Sequence, residues 1–317
     1  MSLALVFPGQ GSQFVGMLGE FAGLHAIVRR TYEEASGALG YDLWQLTAAG
    51  PAEQLNKTEC TQPAMLVAGI ATWRLWREQG GKPPELVAGH SLGEFSALVC
   101  AGALDFADTV KLVRERGRLM QAAVPEGGGA MAAILGLDDV AAEAACVDGG
   151  QGEVVEAVNY NAPGQIVIAG QVHAVERAIA AAKARGAKRA VLLPVSVPAH
   201  SSLLRGAATQ FQERLADAAI AQPKMRYVSA VDAAEHGTAE SIRAILGRQL
   251  ASPVRWTATV QALIAAGTTL LAECGPGKVL TALNRRIERR PEVSCMAIED
   301  AASLQAALSA TERTGRE

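Results

Sequence analysis

The chain has 317 residues and a mass of 33.0 kDa; half of its residues are hydrophobic and 19% are charged. This composition excludes intrinsic disorder, which requires few apolar residues and a high net charge. The formal net charge of −3 excludes the strongly basic surface that is typical of nucleic-acid-binding proteins.

The cysteines and the N-terminus point to the cytoplasm. Five cysteines are spread through the sequence without a CxxC pair, so we expect neither a disulfide framework nor a metal site. The N-terminus has no basic segment before a signal-like apolar run. No uncharged stretch is apolar over the roughly 20 residues that a membrane span needs. We therefore expect a cytoplasmic protein with no membrane or nucleic-acid partner. We also expect it to be a monomer.

Short apolar runs alternate with helical patterns along most of the chain. Residues 3–7 form an unbroken apolar run that ends at Pro8, which is typical of a strand buried on both faces. Similar runs predict strands at 86–89, 226–231 and 268–272. Amphipathic patterns predict helices at 13–38, 60–79, 93–101, 105–123, 202–219, 239–250 and 256–266. The alternation indicates an α/β fold with a parallel sheet and helices on both of its faces.

The segment 126–197 has a different order of elements. After a glycine-rich turn, the pattern predicts strand, helix, strand, strand, helix and strand, at 130–136, 138–146, 153–159, 165–170, 172–185 and 189–195. This is the βαββαβ order of a ferredoxin-like unit. We therefore predict a core formed by residues 1–125 and 198–317, with a ferredoxin-like subdomain inserted at 126–197.

The segment Gly89-His90-Ser91-Leu92-Gly93 carries the strongest chemical signal. It follows one predicted strand and precedes a predicted helix, which is the context of a nucleophile elbow. The sharp turn would hold Ser91 exposed at the end of the strand. The N–H of Leu92 would lie at a helix N-terminus, where partial positive charge stabilises an oxyanion. A chance GxSxG match is the alternative; the flanking strand and helix favour the nucleophile.

A serine in such a turn needs a base, and His200 is the best candidate among the five histidines. It lies between the last strand of the insert and the helix predicted at 202–219. A helix N-terminus favours the neutral imidazole that a general base requires. His90 is next to Ser91 in the chain, so we expect it to shape the turn rather than to act as the base. The alternative for His200 is an ordinary polar loop histidine.

Arg116 interrupts the apolar face of the helix predicted at 105–123. At about 100° per residue, it falls in the middle of the face formed by Val110, Leu112, Val113, Leu119, Met120 and Ala123. A buried arginine must be paired, because an unpaired buried charge is costly, and its planar fork suits a carboxylate. Two partners are open: an internal aspartate or glutamate in a structural salt bridge, or the carboxylate of a substrate.

Two glutamines complete the candidate site. Gln249 shares a stripe with Ile242, Ile245 and Leu246, so its amide is expected to point inward, where it either orients the histidine or ties down a loop. Gln10 lies in the glycine-rich turn after the first strand. A dinucleotide fingerprint would need glycine at Phe14, so we expect this turn to offer N–H groups to the oxyanion site instead.

Seven motifs occur in an order that resembles one family over nearly the full length of the chain. They are Phe7-Pro8-Gly9-Gln10-Gly11-Ser12-Gln13, Thr61-Gln62-Pro63-Ala64, Gly89-His90-Ser91-Leu92-Gly93-Glu94, the Arg116 helix, Asn159-Tyr160-Asn161-Ala162-Pro163-Gly164-Gln165, Val197-Pro198-Ala199-His200-Ser201 and Gly275-Pro276-Gly277. Each motif alone is weak, whereas the ordered set is specific. The chain resembles the bacterial malonyl-coenzyme A:acyl carrier protein transacylases of type II fatty acid synthesis.

The resemblance implies a role for each matching residue. Ser91 would be the nucleophile that becomes malonylated, and His200 would be its base and then the acid that protonates the leaving thiolate. Arg116 would hold the free carboxylate of the malonyl group. The backbone N–H groups of Gln10 and Leu92 would form the oxyanion hole.

The resemblance also implies a fold and partners. The Gln249 carbonyl would orient His200, and Asn159 and Asn161 would lie near the cleft between the subdomains. The core would be α/β-hydrolase-like. Malonyl-CoA would be a substrate and acyl carrier protein the partner, with no cofactor and no metal. A basic patch should receive the acidic carrier, and the candidate residues are Lys188, Arg189, Arg285, Arg286, Arg289 and Arg290. The alternative is that these residues only form a solvated face.

Three other functions remain open from the sequence. A related acyltransferase would serve malonate decarboxylase or a polyketide pathway with the same site and a different acceptor. A serine esterase would share the turn around Ser91, but Arg116 would then have no purpose. A non-catalytic acyl-binding protein would not need Ser91 and His200 together.

Overall fold

Two separate β-sheets organise the chain in the computed structural model, which describes residues 2–125, 127–195 and 197–312. The strands are β1 (Leu3–Phe7), β2 (Leu86–Gly89), β3 (Gly129–Leu135), β4 (Val155–Ala162), β5 (Gln165–Gln171), β6 (Arg189–Leu192), β7 (Arg226–Val228), β8 (Leu270–Cys274) and β9 (Ser294–Ile298). The helices before the second sheet are α1 (Gly19–Leu24), α2 (Ala26–Leu39), α3 (Leu43–Ala49), α4 (Ala52–Leu55), α5 (Thr58–Glu78), α6 (Gly93–Cys100) and α7 (Phe106–Ala122). The helices that follow β3 in the chain are α8 (Asp139–Gly150), α9 (Val172–Ala184), α10 (Arg205–Ala216), α11 (Ala239–Arg248), α12 (Trp256–Ala265), α13 (Val279–Ile287) and α14 (Ala301–Glu312).

The first sheet is parallel and has the strand order β7-β2-β1-β8-β9. Its central strand alternates between two cores, because Leu5 and Phe7 join one apolar cluster while Ala4 and Val6 join another on the opposite face. Burial on both faces explains the unbroken apolar run. Phe7 pairs with Gly89, so the turns that follow β1 and β2 emerge side by side at the carboxyl edge of the sheet.

The predicted strands at 3–7 and 86–89 match β1 and β2, whereas the other strand predictions for the first sheet differ from the structure. The strand predicted at 226–231 ends at Val228, and the one predicted at 268–272 lies at Leu270–Cys274. No apolar run in the sequence predicted β9 (Ser294–Ile298). It lies at one edge of the first sheet, and only part of it is buried, so it lacks the continuous apolar run of the inner strands.

The helix predicted at 13–38 is wrong as a single element. Turns occupy the residues before Gly19, Leu18 has a left-handed backbone with φ of 60°, and His25 is extended between α1 and α2. The helix predicted at 239–250 ends at Arg248 and continues as a 3-10 turn over Gln249–Ala251. Four further helices, α3, α4, α13 and α14, were not predicted from the sequence.

The second sheet is antiparallel, with the order β4-β5-β3-β6, and it carries α8 and α9. These elements follow the predicted βαββαβ order and enclose an apolar cluster of their own, which includes Ile134, Ile168 and Val175. The predicted α/β fold, a parallel hydrolase-like sheet with a separate ferredoxin-like unit, is confirmed. None of the described helices is both long and apolar enough to cross a bilayer.

Candidate active site

The turn between β2 and α6 holds Ser91 in a conformation that its neighbours force on it. Ser91 has a φ of 52°, in the left-handed region that residues with a side chain rarely adopt. Close approach demands the flanking glycines: a Cβ on Gly89 would lie 1.9 Å from the carbonyl carbon of Gly93, and a Cβ on Gly93 would lie 2.0 Å from the carbonyl oxygen of Phe7. This strained strand-turn-helix is the geometry of a nucleophile elbow.

His200 is in direct contact with Ser91. The Ser91 Oγ and the His200 Nε2 are 2.7 Å apart. The other ring nitrogen, Nδ1, lies 3.0 Å from the main-chain oxygen of Gln249 and 3.1 Å from that of Ser252. Because carbonyl oxygens only accept, Nδ1 carries the proton and Nε2 is left to accept the proton of Ser91.

The surroundings of His200 keep its imidazole neutral. The side chain is 4% exposed. Burial lowers its pKa to about 3, and the positive charge of Arg116 acts in the same direction. A neutral imidazole at physiological pH is the form that accepts a proton.

Arg116 points from the buried face of α7 into the site. Its side chain is 1% exposed. Nη2 donates to the Ser91 Oγ at 3.3 Å and to the Gln249 side-chain oxygen at 3.0 Å, while Nη1 donates to the Gln62 side-chain oxygen at 2.9 Å. Burial lowers its pKa to about 10, so the guanidinium stays charged at neutral pH.

Neutral groups, rather than a carboxylate, surround the Arg116 guanidinium. In the described ranges, no aspartate or glutamate oxygen lies within the 4.0 Å of a salt bridge to it. Its Nε is buried and has no hydrogen-bond partner among the residues described. A buried cation with spare donors, 3.3 Å from a nucleophilic hydroxyl, is placed to receive an anionic group of a bound acyl chain.

Gln10 and Leu92 occupy the two adjacent turns at the carboxyl edge of the sheet. Leu92 is buried at the start of α6, whereas Gln10 is exposed in the turn after β1. Within the described part of the chain, no group accepts a hydrogen bond from the main-chain N–H of either residue. Both N–H groups are therefore free donors among the described residues.

Gln249 contributes to the site in two ways. Its main-chain oxygen accepts a hydrogen bond from His200 Nδ1. Its side chain does not reach the histidine: the oxygen accepts from Arg116, and the nitrogen donates to the main-chain oxygen of Ser91 at 3.0 Å and to Glu94 Oε1 at 2.7 Å.

The two asparagines of β4 contact residues outside the second sheet. The Asn161 side-chain oxygen is 2.8 Å from His90 Nε2, so Asn161 holds the imidazole of the residue that precedes Ser91. Asn159 pairs with Val254, and its side-chain oxygen is buried without a hydrogen-bond partner in the portion described. Neither asparagine has a hydrogen bond to Ser91 or His200.

Sequence reasoning did not assign roles to two residues that contact this network, Gln62 and Glu94. Gln62 lies in α5, which is buried on nearly every side, so an inward amide does not stand out there. Glu94 follows the elbow in the almost wholly buried helix α6. A fully buried charged or amide side chain in a helix without a polar face is the signal that was available for both.

The described residues contain no cluster of three or more histidine, cysteine, aspartate or glutamate side chains that could hold a metal ion. The five cysteines are free and buried. The site described above consists of side chains and main-chain amides alone.

Comparison with known proteins identifies the family. Residues 4–304 match the acyl transferase domain. A malonyl CoA-acyl carrier protein transacylase of Salmonella typhimurium is 55% identical over 306 residues, covering 96% of this chain and 98% of that protein.

Solved structures agree. The acyl carrier protein S-malonyltransferase of Vibrio cholerae has a TM-score of 0.93 and 52% identity, over 96% of this chain and 99% of that one. The malonyl-transacylase PlMCAT, solved with the type II PKS acyl-carrier protein AntF, has a TM-score of 0.96 and 52% identity over 98% of this chain and 100% of that one. The chain therefore belongs to the acyl transferase family and, within it, to the malonyl-CoA–acyl carrier protein transacylases.

Proposed function

We propose that this protein transfers the malonyl group of malonyl-CoA to the phosphopantetheine thiol of an acyl carrier protein through a malonyl-serine intermediate. One observation carries the proposal. A buried guanidinium without a carboxylate partner in the described ranges lies 3.3 Å from the Oγ of Ser91, which His200 contacts at 2.7 Å. This arrangement suits an acyl group that ends in a carboxylate.

The first half-reaction acylates the serine. His200 Nε2 takes the proton of Ser91 as the oxygen attacks the thioester carbonyl, and the new C–O bond puts a negative charge on the carbonyl oxygen. The N–H groups of Gln10 and Leu92 stabilise this oxyanion. When the intermediate collapses, the C–S bond breaks and the imidazolium of His200 protonates the thiolate of coenzyme A.

The second half-reaction returns the enzyme to its starting state. The thiol of the carrier's phosphopantetheine gives its proton to His200 and attacks the ester carbonyl of malonyl-Ser91. The C–S bond forms, the C–O bond to Ser91 breaks, and His200 returns the proton to the serine oxygen. Side chains and main-chain amides perform every step, so we propose that no cofactor takes part.

Arg116 selects the acyl group in this proposal. Its donors would bind the free carboxylate of the malonyl group and hold the thioester carbonyl next to Ser91. Arg116 is also the observation that disfavours a serine esterase, because an uncarboxylated ester gives a buried guanidinium nothing to pair with.

The basic residues near the second sheet support a docking surface for the carrier. Arg286 is exposed and donates to the Pro163 oxygen in the turn between β4 and β5 at 3.2 Å. Lys188 and Arg189 lie by the same turn, since Gly136 contacts Lys188 and hydrogen-bonds Gly164. We call Lys188, Arg189 and Arg286 the hairpin basic group.

Other arginines of the predicted patch have other partners. Arg290 forms an ion pair with Glu288 at 2.7 Å, and Arg285 donates to the main-chain oxygen of Cys295 at 2.9 Å. We place the carrier on the hairpin basic group because it borders the strand that bears Asn161; Arg286 also donates to the side-chain oxygen of Gln165 in the same turn region, at 2.8 Å.

Cellular context and organisation are part of the same proposal. We propose that the protein is a cytoplasmic monomer. We also propose that residues 126–197 form a subdomain, since the second sheet has its own apolar cluster. The acceptor would be the carrier of fatty acid synthesis. A polyketide carrier is the second candidate, favoured by the carrier that the similar transacylase PlMCAT was solved with; a carrier subunit of malonate decarboxylase would use the same site.

Intact-protein mass spectrometry tests the proposal. Incubation with malonyl-CoA should add one malonyl group to the chain, and peptide mapping should locate it on Ser91. The Ser91→Ala variant should take up none. An unmodified wild-type chain, or an adduct that persists in Ser91→Ala, would overturn the proposal.

A further inference from the structure

Glu94 is a buried carboxylate that the mechanism above does not use. It lies in the first turn of α6, three residues after the nucleophile, and is 0% exposed. Burial raises its pKa, and hydrogen bonds together with the charge of Arg116 oppose that shift. An ionisable group enclosed this deeply needs a partner for each of its oxygens.

Each oxygen of Glu94 has a defined partner. Oε2 accepts from the hydroxyl of Ser229 at 2.8 Å and also from the hydroxyl of Tyr227. Oε1 accepts from the side-chain nitrogen of Gln249 at 2.7 Å. The carboxylate is thus held on one side by the end of β7 and presents its other oxygen to Gln249.

The Gln249 amide joins Glu94 to Arg116. Its nitrogen donates to Glu94 and to the main-chain oxygen of Ser91, and its oxygen accepts from Arg116 Nη2 at 3.0 Å. If the Gln249 amide were reversed, its NH₂ group would face the Arg116 guanidinium, and its oxygen would face two hydrogen-bond acceptors. The chain Glu94–Gln249–Arg116 therefore has one satisfied arrangement, and all three side chains are almost fully buried.

We propose that Glu94 is a positioning residue for malonyl selection, which acts through the Gln249 amide to hold the Arg116 guanidinium beside Ser91. This inference rests on the proposed function. Glu94 does not touch the reacting atoms; its effect reaches them through the fixed orientation of Gln249. It should therefore matter for an acyl group that Arg116 binds, and little for one that Arg116 does not bind.

Two variants of Glu94 weaken the network to different degrees. Glu94→Met keeps the length of the side chain and removes the acceptor, so the rate of loading with malonyl-CoA, relative to that with acetyl-CoA, should fall by about tenfold or more. Glu94→Gln retains one acceptor and should cause a smaller fall. Both rates are measured as formation of acyl-Ser91 by intact mass.

A second glutamate provides a matched control. Glu273 is 0% exposed and accepts from the main-chain N–H groups of Leu280 and Thr281 at the start of α13, with no hydrogen bond to Gln249 or Arg116. Glu273→Gln also removes a buried carboxylate. It should lower stability and leave the malonyl-to-acetyl ratio within about twofold of wild type.

A double-mutant cycle separates positioning from general damage to the fold. In an Arg116→Ala background, Glu94→Gln should leave the ratio unchanged, because the group that Glu94 positions is gone.

The inference is overturned if Glu94→Met and Glu94→Gln keep the wild-type ratio, if both acyl groups load more slowly by the same factor, or if the ratio falls equally in both backgrounds. If Glu94→Met does not fold, Glu94→Gln and the cycle decide. Failure of wild type to load malonyl would instead overturn the proposed function.

Discussion

Ser91 and His200 need no rearrangement before the first proton moves, because the two atoms that exchange it are 2.7 Å apart. The imidazole is neutral well into the acidic range, since burial and Arg116 lower its pKa to about 3. We therefore expect acylation of Ser91 to stay constant from neutral pH to below about pH 5, past the ordinary histidine pKa of about 6.5. Single-turnover loading across this range checks the profile; an acidic limb near pH 6.5 would contradict it.

Replacing Arg116 should move that profile in a known direction. The positive charge of Arg116 disfavours the imidazolium, so its removal in Arg116→Ala raises the pKa of His200. The acidic limb of acetyl loading should then shift to higher pH than in the wild-type chain. A shift to lower pH would mean that Arg116 does not act on His200 through its charge.

Arg116→Ala also tests the selection of the acyl group. Loss of a buried charged partner should lower loading with malonyl-CoA by about 100-fold or more, whereas loading with acetyl-CoA should change little. Arg116→Lys keeps the charge without the planar fork and should be intermediate. Equal losses for both acyl groups would indicate that Arg116 only supports the fold.

The sequence predicted the residues of the site where one polar side chain lies on an otherwise apolar face. Arg116 stood out because α7 is amphipathic, with a solvent-facing side for contrast. Gln62 and Glu94 did not, because α5 and α6 are buried almost all round. The partner of His200 Nδ1 is a main-chain oxygen, which no side-chain pattern can reveal.

At the level of elements, the junction of β1, β2 and α6 depends on the absence of side chains at its glycines. In Gly93→Ala the new Cβ would meet the Phe7 main-chain oxygen at 2.0 Å, so strand and helix would have to separate. We expect a loss of stability of more than about 3 kcal/mol in urea denaturation, together with loss of acylation.

Gly37→Ala is the control for that substitution. Gly37 lies on the exposed side of α2, and a Cβ there meets nothing within 4 Å. Alanine is the better helix former, so the free energy of unfolding should rise by about 0.5–1 kcal/mol. Similar stability in Gly93→Ala and Gly37→Ala would contradict the close approach at the elbow.

Periodicity located the inner strands well because they are buried on both faces. It failed at β9, an edge strand, and between α1 and α2, where the extended His25 interrupts a continuous helical pattern. The position at which a helix is interrupted in this way depends on how the chain turns against the core, so a local apolar pattern does not reveal it.

At the scale of the whole molecule, β4 of the second sheet contacts the segment between the Gln249–Ala251 turn and α12. The main-chain N–H of Tyr160 in β4 donates to the Val254 oxygen at 2.9 Å, and the N–H of Val254 donates back to the Val158 oxygen at 2.8 Å. The order of elements predicted an inserted unit. Its placement against Val254 and His90 was not predictable, because those contacts join residues far apart in the chain.

The hairpin basic group should influence malonyl transfer to the carrier protein but not malonyl transfer to a small acceptor. Arg286→Glu reverses a charge at the proposed docking surface, so malonyl transfer to carrier protein should slow by about tenfold at low salt, and the difference should shrink as salt rises. Transfer to free pantetheine should be unchanged. Equal slowing with both acceptors would place the carrier elsewhere.

In the proposed mechanism Ser91 passes a malonyl group to a carrier thiol, and a chase experiment follows that transfer. The chain is loaded with malonyl-CoA, freed of excess substrate, mixed with holo acyl carrier protein and followed by intact mass. The malonyl group should leave the enzyme and appear on the carrier at the same rate. A malonyl-enzyme that persists with carrier present, or that releases free malonate while the carrier stays unmodified, would contradict it.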